Sequence, residues 1–274
     1  MNTPAPCARL SVITVPSSTK AVVFRRGPSK HVCSILWDRA DNSVQIGQWL
    51  KGRIYPEFCD LSPDAKHMIY VAADHKTDSE TSGQWNAVSR PPWLTAVYVS
   101  ASIPPFVVGG AFVNNKRFWI DELCSQMSYA KRITSRPEVS TTPPLKDFPK
   151  SSGISRVQYI RAMRDGWRMR NSDESMCVLE KRIFSDAILV RKISGYGSKE
   201  AYSIEGRFDL DAQNCTWLDV IDNHIYFAKD GCIFVQRKTK KGEVEHAELL
   251  HDFNNLTFTT IEAPYAGVEK RPQS

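Results

Sequence analysis

The sequence lacks the signals of membrane insertion and export. No run of eighteen apolar residues occurs in the 274-residue chain, and residues 1–8 are polar and rich in proline where a secretory signal would place a charged segment followed by an apolar one. We therefore expect no contact with membranes and predict a cytoplasmic location.

Cysteine patterns that hold metals or disulfide frameworks are also missing. The seven cysteines are widely spread, no two of them form a C-x-x-C pair, and no histidine stands at zinc-binding spacing from any of them. An odd number of widely spaced cysteines is typical of free thiols in a reducing compartment, where most serve as small apolar core side chains. We predict neither a metal nor another cofactor.

Short catalytic motifs are absent as well. The sequence contains neither H-E-x-x-H nor G-x-S-x-G, the local signatures of zinc proteases and of hydrolases with a nucleophile elbow. Segment 195–199 lacks phosphate-loop spacing, and segment 209–213 begins like a calcium loop but is followed by Asn214 where that loop needs glycine. We assign no catalytic residue and favour a protein without catalysis. A hydrolase or lyase site assembled in a central channel from distant residues is the alternative.

The residues that are present indicate a globular chain built of strands. Composition is ordinary, with 42% apolar, 10% aromatic and 24% charged residues. Up to about residue 121, and again from residue 174, short β-branched and aromatic runs alternate with turns rich in Pro, Gly, Asn and Asp. These runs predict an all-β fold, a β-propeller of about four or five blades that occupies residues 1–274 as a single domain.

Residues 122–173 interrupt the strand pattern. The part from 136 to 153 is rich in Pro, Gly, Ser and Thr and predicts an exposed loop. After it, Ser155 and Gln158 have capping-box spacing, and apolar residues recur every three or four positions from Ile154 to Trp167. This pattern predicts a short helix that ends near Gly166. We interpret the whole segment as a basic loop-plus-helix insertion in the propeller.

An internal repeat supports the propeller. Residues 67–74 and 224–230 share the pattern Ile-Tyr-x-Ala-x-Asp, each after a turn that contains Asp, and residues 113–121 form a third, poorer copy. His67 and His224 stand at the start of the two copies, so we expect both to have a structural role. A two-sheet sandwich also tolerates such short connections, but recurrence of the same hairpin favours copies of one sheet.

The first copy carries a family resemblance. Residues 60–72, with Ser62, Pro63, Asp64 and Lys66 ahead of an apolar strand, resemble the Ser-Pro-Asp-Gly-Lys signature of the WD40-like repeats in TolB-type β-propellers. Ala65 stands where that signature usually has glycine. The resemblance implies a propeller fold and no particular activity, because propellers serve as enzymes, scaffolds and binding modules alike.

The net charge of +6 is concentrated in one region. From Phe112 to Arg170 there are twelve Lys or Arg and five Asp or Glu, whereas the rest of the chain is nearly neutral. Such a region attracts acidic surfaces through its long-range field. We predict a protein partner with an acidic surface, either in a larger assembly or as a toxic protein to be neutralised. Nucleic acid, bound by the same charges, is the alternative.

The residues predicted to bind that partner are Arg and Trp, the types that dominate interface hot spots. They are Arg156, Arg161, Arg164, Trp167 and Arg168 in the predicted helix segment, and Trp85 and Trp93 at the ends of a proline-containing segment. We expect the segment between these two tryptophans to be a rigid recognition loop. A solvated helix face and a packed core are the alternative explanations for these side chains.

Overall fold

A computed structural model describes residues 7–27, 30–76, 78–101, 108–121, 130–183, 187–206, 210, 212–237 and 245–267. The chain forms two compact units. The first unit comprises Val12–Lys146 with Thr257–Ser274, and the second comprises Met1–Ser11 with Asp147–Leu256. Cys124 and segment 122–129 of the predicted insertion lie outside the described residues.

The fold is all-β. Strands make up 51% of the described residues and helices 5%, and the five sheets form a five-blade β-propeller arrangement. This result confirms the predicted fold class and selects five from the predicted four or five blades. Three of the five sheets contain four strands in sequence order, as short connections between neighbouring strands require.

The strands of the first three sheets are short and bounded by turns. In chain order they are β1 (Arg9–Ile13), β2 (Lys20–Arg26), β3 (His31–Asp38), β4 (Ser43–Lys51), β5 (Arg53–Ile54), β6 (Asp60–Leu61), β7 (Met68–Ala73), β8 (Gln84–Ser89), β9 (Ala96–Ala101), β10 (Gly110–Asn114), β11 (Arg117–Ile120), β12 (Ala130–Arg132) and β13 (Glu138–Ser140). A single 3-10 turn, Pro56–Phe58, separates β5 from β6 in the described residues. The sheet orders are β1-β2-β3-β4, then β12-β9-β8-β7-β5 with β6 also paired to β7, and β10-β11-β13.

The second unit holds the helix and the last two sheets. Its elements are α1 (Arg156–Arg164), β14 (Arg168–Ser172), β15 (Met176–Ile183), β16 (Ala187–Ser194), β17 (Lys199–Gly206), β18 (Trp217–Ile221), β19 (His224–Lys229), β20 (Cys232–Arg237) and β21 (Glu248–Asp252). The sheet orders are β14-β15-β16-β17 and β18-β19-β20-β21. Every neighbouring pair in these two sheets is antiparallel.

The three copies of the repeat occupy equivalent places. Tyr70 lies on β7, Tyr226 on β19, and the third copy on β11. β19 and β11 are the second strands of their sheets, and β7 is likewise next to the edge position, which β5 and β6 share. Duplicated sheets require this placement. Ala65, in the turn before β7, has a φ of +54°, so the turn uses the left-handed conformation that glycine adopts most easily. The more specific WD40-like relationship stays a prediction.

The insertion contains more strand than the sequence predicts. β12 pairs with β9, β13 pairs in parallel with β11, and β14 begins the fourth sheet. The structure therefore differs from the predicted loop at Glu138–Ser140. Three-residue strands carry no periodic signal of their own, and they form here because the edges of existing sheets offer unpaired backbone groups.

Candidate partner-binding site

The helix forms for the local reasons that the sequence indicates. Ser155 caps α1, and its Oγ accepts a hydrogen bond from the Gln158 backbone N–H at 3.0 Å. At the other end Asp165 is the C-cap and Gly166 follows with a φ of +85°, a conformation that costs glycine little. The predicted start and end of the helix are confirmed.

One face of α1 is buried in the core of the second unit. Val157, Ile160 and Ala162 are buried, and Ala162 belongs to a cluster that includes Leu179 of β15 and Ile193 of β16. The helix is thus fixed to its sheet by apolar packing, as an amphipathic stripe predicts.

Three of the predicted arginines retain exposed surface around this docked helix. Arg156 is half-buried, with its guanidinium 4.1 Å from the centre of the Phe148 ring. The Nε of half-buried Arg164 lies 3.0 Å from a carboxylate oxygen of Asp165. Arg168 is exposed at the start of β14. We call Arg156, Arg164 and Arg168 the arginine surface.

The other two predicted residues of this segment are buried. Trp167 is 3% exposed and Arg161 is 9% exposed, so neither offers a partner much area. Arg161 stands four positions after buried Val157, which places it only about 40° from the apolar stripe on a helix of 3.6 residues a turn. This spacing in the sequence indicated that Arg161 would be buried. The partner-binding role of the remaining residues stays a prediction.

A buried polar network lies beneath the helix. Arg191 donates two hydrogen bonds to Glu200, from Nε to Oε2 at 3.0 Å and from Nη2 to Oε1 at 2.7 Å. Tyr202 Oη donates to Glu200 Oε2, and Gln158 Nε2 of α1 donates to Glu200 Oε1, each at 2.5 Å. Four hydrogen bonds therefore converge on one carboxylate, and one of them comes from the helix.

Strand register places this network on the core side of its sheet. Arg191 lies opposite Leu179 on β15 and opposite Tyr202 on β17, and Leu179 and Tyr202 both belong to the apolar core. The sequence signal for this network was a charged residue, Arg191, at an inward-facing position of a strand with alternating side chains. Single-sequence analysis missed it because the carboxylate partner is set only by the register between strands.

Charge compensation dominates the electrostatics of the pair. Burial by itself would raise the pKa of Glu200, but the charge and hydrogen bonds of Arg191, together with the hydrogen bond from Tyr202, outweigh it and lower that pKa. Burial would likewise lower the pKa of Arg191, and the carboxylate of Glu200 raises it instead. Both groups are therefore held in their charged forms.

Trp167 lies between the Arg191–Glu200 pair and a second ion pair, Lys181–Asp219. Lys181 Nζ lies 2.7 Å from Asp219 Oδ1, with both side chains mostly buried. The ring of Trp167 has Lys181 Nζ at 5.8 Å and the Arg191 guanidinium at 5.7 Å from its centre. Both distances are within the range of cation–π attraction. Trp167 thus acts as an internal packing group between two cations.

Asp165, the C-cap residue of α1, has a raised pKa. Burial raises the pKa of Asp165 to about 6, with a further contribution from the Asp219 carboxylate, while Arg164 opposes the shift. Asp165 therefore changes charge close to neutral pH, right beside the arginine surface.

Trp85 and Trp93 lie in the first unit and do not bound a loop. Trp85 lies on β8, which runs from Gln84 to Ser89, so the predicted recognition loop is wrong over that span. Both tryptophans are partly buried against core clusters. The sequence did not indicate this strand, because polar residues such as Gln84 and Asn86 are buried and interrupt the alternation of apolar and polar side chains.

Other predicted features can be located in the described part of the chain. The six cysteines described there are all free, which confirms that prediction for them. The same ranges hold no group of three or more His, Cys, Asp or Glu side chains able to bind a metal ion. Nor does any helix among the described residues have the length and apolar character needed to cross a membrane.

Comparisons with known proteins give structural likeness alone. No family model matches the chain, and no curated protein matches it. It is similar to the uncharacterized protein lmo1340 from Listeria monocytogenes EGD-e, at 9% identity and a TM-score of 0.33, over 90% of this chain and 84% of that one. A second similar structure is the β-propeller domain of the Trilobed protease from Pyrococcus furiosus, at 11% identity and a TM-score of 0.28, over 91% and 100% of the two chains. A third is the GH43 protein BlXynB from Bacillus licheniformis, at 11% identity and a TM-score of 0.28, over 96% and 60%.

Proposed function

We propose that this β-propeller binds a macromolecular partner without catalysing a reaction, and that the partner is a protein with an acidic surface. The docking site is the arginine surface of α1 and the start of β14. Assembly subunit and neutraliser of a toxic partner are both roles that fit such a module.

The observation that carries the proposal is the fixed placement of three permanent cations. α1 is anchored by apolar packing on one face and by the hydrogen bond from Gln158 to Glu200, so the backbone that bears Arg156 and Arg164 is ordered before a partner arrives. Arg168 lies on β14, which pairs with β15. Pre-ordering reduces the entropy lost on binding. Arginine is also the side chain best suited to bidentate contact with carboxylates.

The buried charges of the same region favour binding over catalysis. Arg191 is engaged with Glu200, and Lys181 with Asp219. Catalytic acids and bases need access to a substrate, whereas these paired groups are mostly buried, and Glu200 also receives the hydrogen bond from Gln158 of α1. They therefore support a scaffold role.

The test is affinity capture from the source cells with a charge variant of the arginine surface. Arg156→Glu, Arg164→Gln and Arg168→Glu are combined, with glutamine at 164 because a carboxylate there would face Asp165. Arg161 is left intact, since replacing a buried arginine would confuse lost folding with lost binding. We expect an acidic protein at stoichiometric yield with the parent chain and its loss with the variant.

A matched control carries similar charge changes on exposed positions elsewhere. Arg9→Glu, Lys20→Gln and Lys51→Glu are exposed strand residues that serve this purpose. The control should capture the partner as the parent does, and all three proteins should melt at similar temperatures. Equal capture by the variant would refute the docking site, and capture of nucleic acid in place of protein would refute the partner class.

A further inference from the structure

A polar groove of about 510 Å³ opens at the tip of the β10–β11 hairpin in the first unit. Its lining residues are all charged or amide side chains: Asn114, Asn115, Lys116, Arg117, Arg136 and Glu138. A groove of this volume is within the usual range for small-molecule sites. None of these six residues is aromatic.

The walls of the groove are held by hydrogen bonds, although four of the six lining residues are exposed. Arg117 at the start of β11 lies opposite Glu138 of the parallel strand β13, and the Glu138 backbone N–H donates to the Lys116 carbonyl at 2.8 Å. Asn115 Oδ1 accepts a hydrogen bond from the Asp64 backbone N–H at 2.9 Å. The hairpin tip is thus held from two sides.

The groove carries an excess of positive charge. Three cations and one carboxylate line it, and only one ion pair is recorded among these described residues, between Arg136 Nη1 and Glu138 Oε1 at 3.1 Å. Lys116 and Arg117 have no carboxylate partner within the described part of the chain. The formal charge of the lining is therefore +2.

We propose that this groove binds a small phosphorylated molecule that also carries hydroxyl groups, such as a sugar phosphate. A phosphate monoester carries about −1.5 to −2 charges at pH 7, which matches the lining. Guanidinium groups bind phosphate oxygens in pairs, here from Arg117 and Arg136. Glu138 can accept hydrogen bonds from hydroxyls, and the amide NH₂ groups of the two asparagines can donate to ligand oxygens.

The lining also argues against a nucleotide or a nucleic acid. Base recognition commonly uses aromatic side chains for stacking, and none of the six residues that line this groove is aromatic. The site lies in the first unit and uses none of the residues of the arginine surface, so it does not depend on the proposed partner binding.

Isothermal titration of the full chain at low ionic strength tests the proposal, with glucose 6-phosphate as the probe. Glucose and inorganic phosphate are titrated in parallel, because they carry the two halves of the proposed recognition separately. We expect saturable binding of one glucose 6-phosphate per chain, weaker binding of inorganic phosphate and none of glucose.

Two variants and one control locate the site. Arg117→Gln should weaken glucose 6-phosphate binding by at least about tenfold, since a hydrogen bond to a charged group is lost. Arg136→Gln should weaken it more, because Glu138 then faces the phosphate without its cation. Arg182→Gln, an exposed arginine of β15, should bind as the parent does. Absence of saturable binding, unchanged affinity in both groove variants, or equal affinity for inorganic phosphate would overturn the proposal.

Discussion

Replacing Glu200 by glutamine should be far more costly to the second unit than its small chemical change suggests. The carboxylate receives two hydrogen bonds from Arg191, one from Tyr202 and one from Gln158. Glutamine offers one acceptor oxygen and turns an NH₂ donor toward groups that are themselves donors. It also leaves the guanidinium of Arg191 buried without a counter-charge.

The side chains of Arg191 and Glu200 are 10% and 22% exposed, so the pair is mostly buried. The expected loss in the free energy of unfolding therefore approaches the roughly 3–5 kcal/mol that removing one partner costs in a fully buried ion pair. Glu205, on the same strand, supplies a matched control. It pairs with Arg170 at 2.7 Å, but its side chain is 50% exposed and that of Arg170 is 43% exposed. Solvent screens such pairs, so Glu205→Gln should cost less than about 1 kcal/mol.

The sign of the pH dependence follows from the same contacts. The pKa of Glu200 is lowered in the folded protein, so the unfolded chain binds its proton more tightly. This carboxylate therefore contributes stability above its unfolded pKa of about 4.3, and the contribution is lost as the pH falls through the folded pKa. Glu200→Gln should remove this part of the acid sensitivity.

Urea unfolding followed by circular dichroism, with hydrogen exchange of the α1 amides, measures these effects. Hydrogen exchange is needed because a chain with two compact units need not unfold in a single step. Exchange of the α1 amides should accelerate in Glu200→Gln and stay unchanged in Glu205→Gln. A loss below about 1 kcal/mol for Glu200→Gln, equal to that of the exposed control, would refute the assignment of the network as the support of the helix.

Two further predictions concern other single groups. Asp165→Asn should raise the free energy of unfolding by up to about 3 kcal/mol at pH 8 and by little near pH 4. The reason is that the folded pKa of about 6 lies above the ordinary 3.8, so the buried carboxylate destabilises the fold once it is charged. Urea titrations at the two pH values test this, and an equal gain at both would contradict it. Tyr265→Phe should lower the free energy of unfolding of the first unit by about 1–2 kcal/mol, because Tyr265 Oη donates to the Thr95 carbonyl at 2.7 Å and accepts from the Arg90 backbone N–H at 3.3 Å. Thermal melting measures this loss, and an unchanged Tm would show that water replaces both contacts.

Local physics made much of the fold predictable from sequence. Turn residues between β-branched runs indicated the strands, and the Ser155–Gln158 spacing with Gly166 indicated both ends of α1. The repeated Ile-Tyr pattern indicated duplicated sheets, because equivalent strands of duplicated sheets need the same kinds of side chain for packing. Each of these features depends on residues that are close in sequence.

The features that escaped prediction depend on partners that are distant in sequence. β13 forms only because β11 offers an edge, and the burial of Gln84 and Asn86 follows from the register of β8 with its neighbours. The link from Gln158 to Glu200 spans 42 positions and joins a helix to the edge strand of a sheet. Composition and periodicity carry no information about such pairings.

The buried network connects the interior of the second unit to its proposed docking surface. Gln158 stands two positions after Arg156 and six before Arg164, so the hydrogen bond to Glu200 fixes the segment of backbone that carries both arginines. If that bond were lost, apolar packing would still hold the helix, and the arginines would keep their charge and exposure. The segment around Gln158 would be less ordered, however, and part of that ordering would then occur when the partner binds. Each rotamer-rich side chain immobilised on binding costs about 0.5–1.5 kcal/mol. Glu200, which contributes no exposed surface of the arginine site, would thereby influence partner affinity through the order it imposes on the helix.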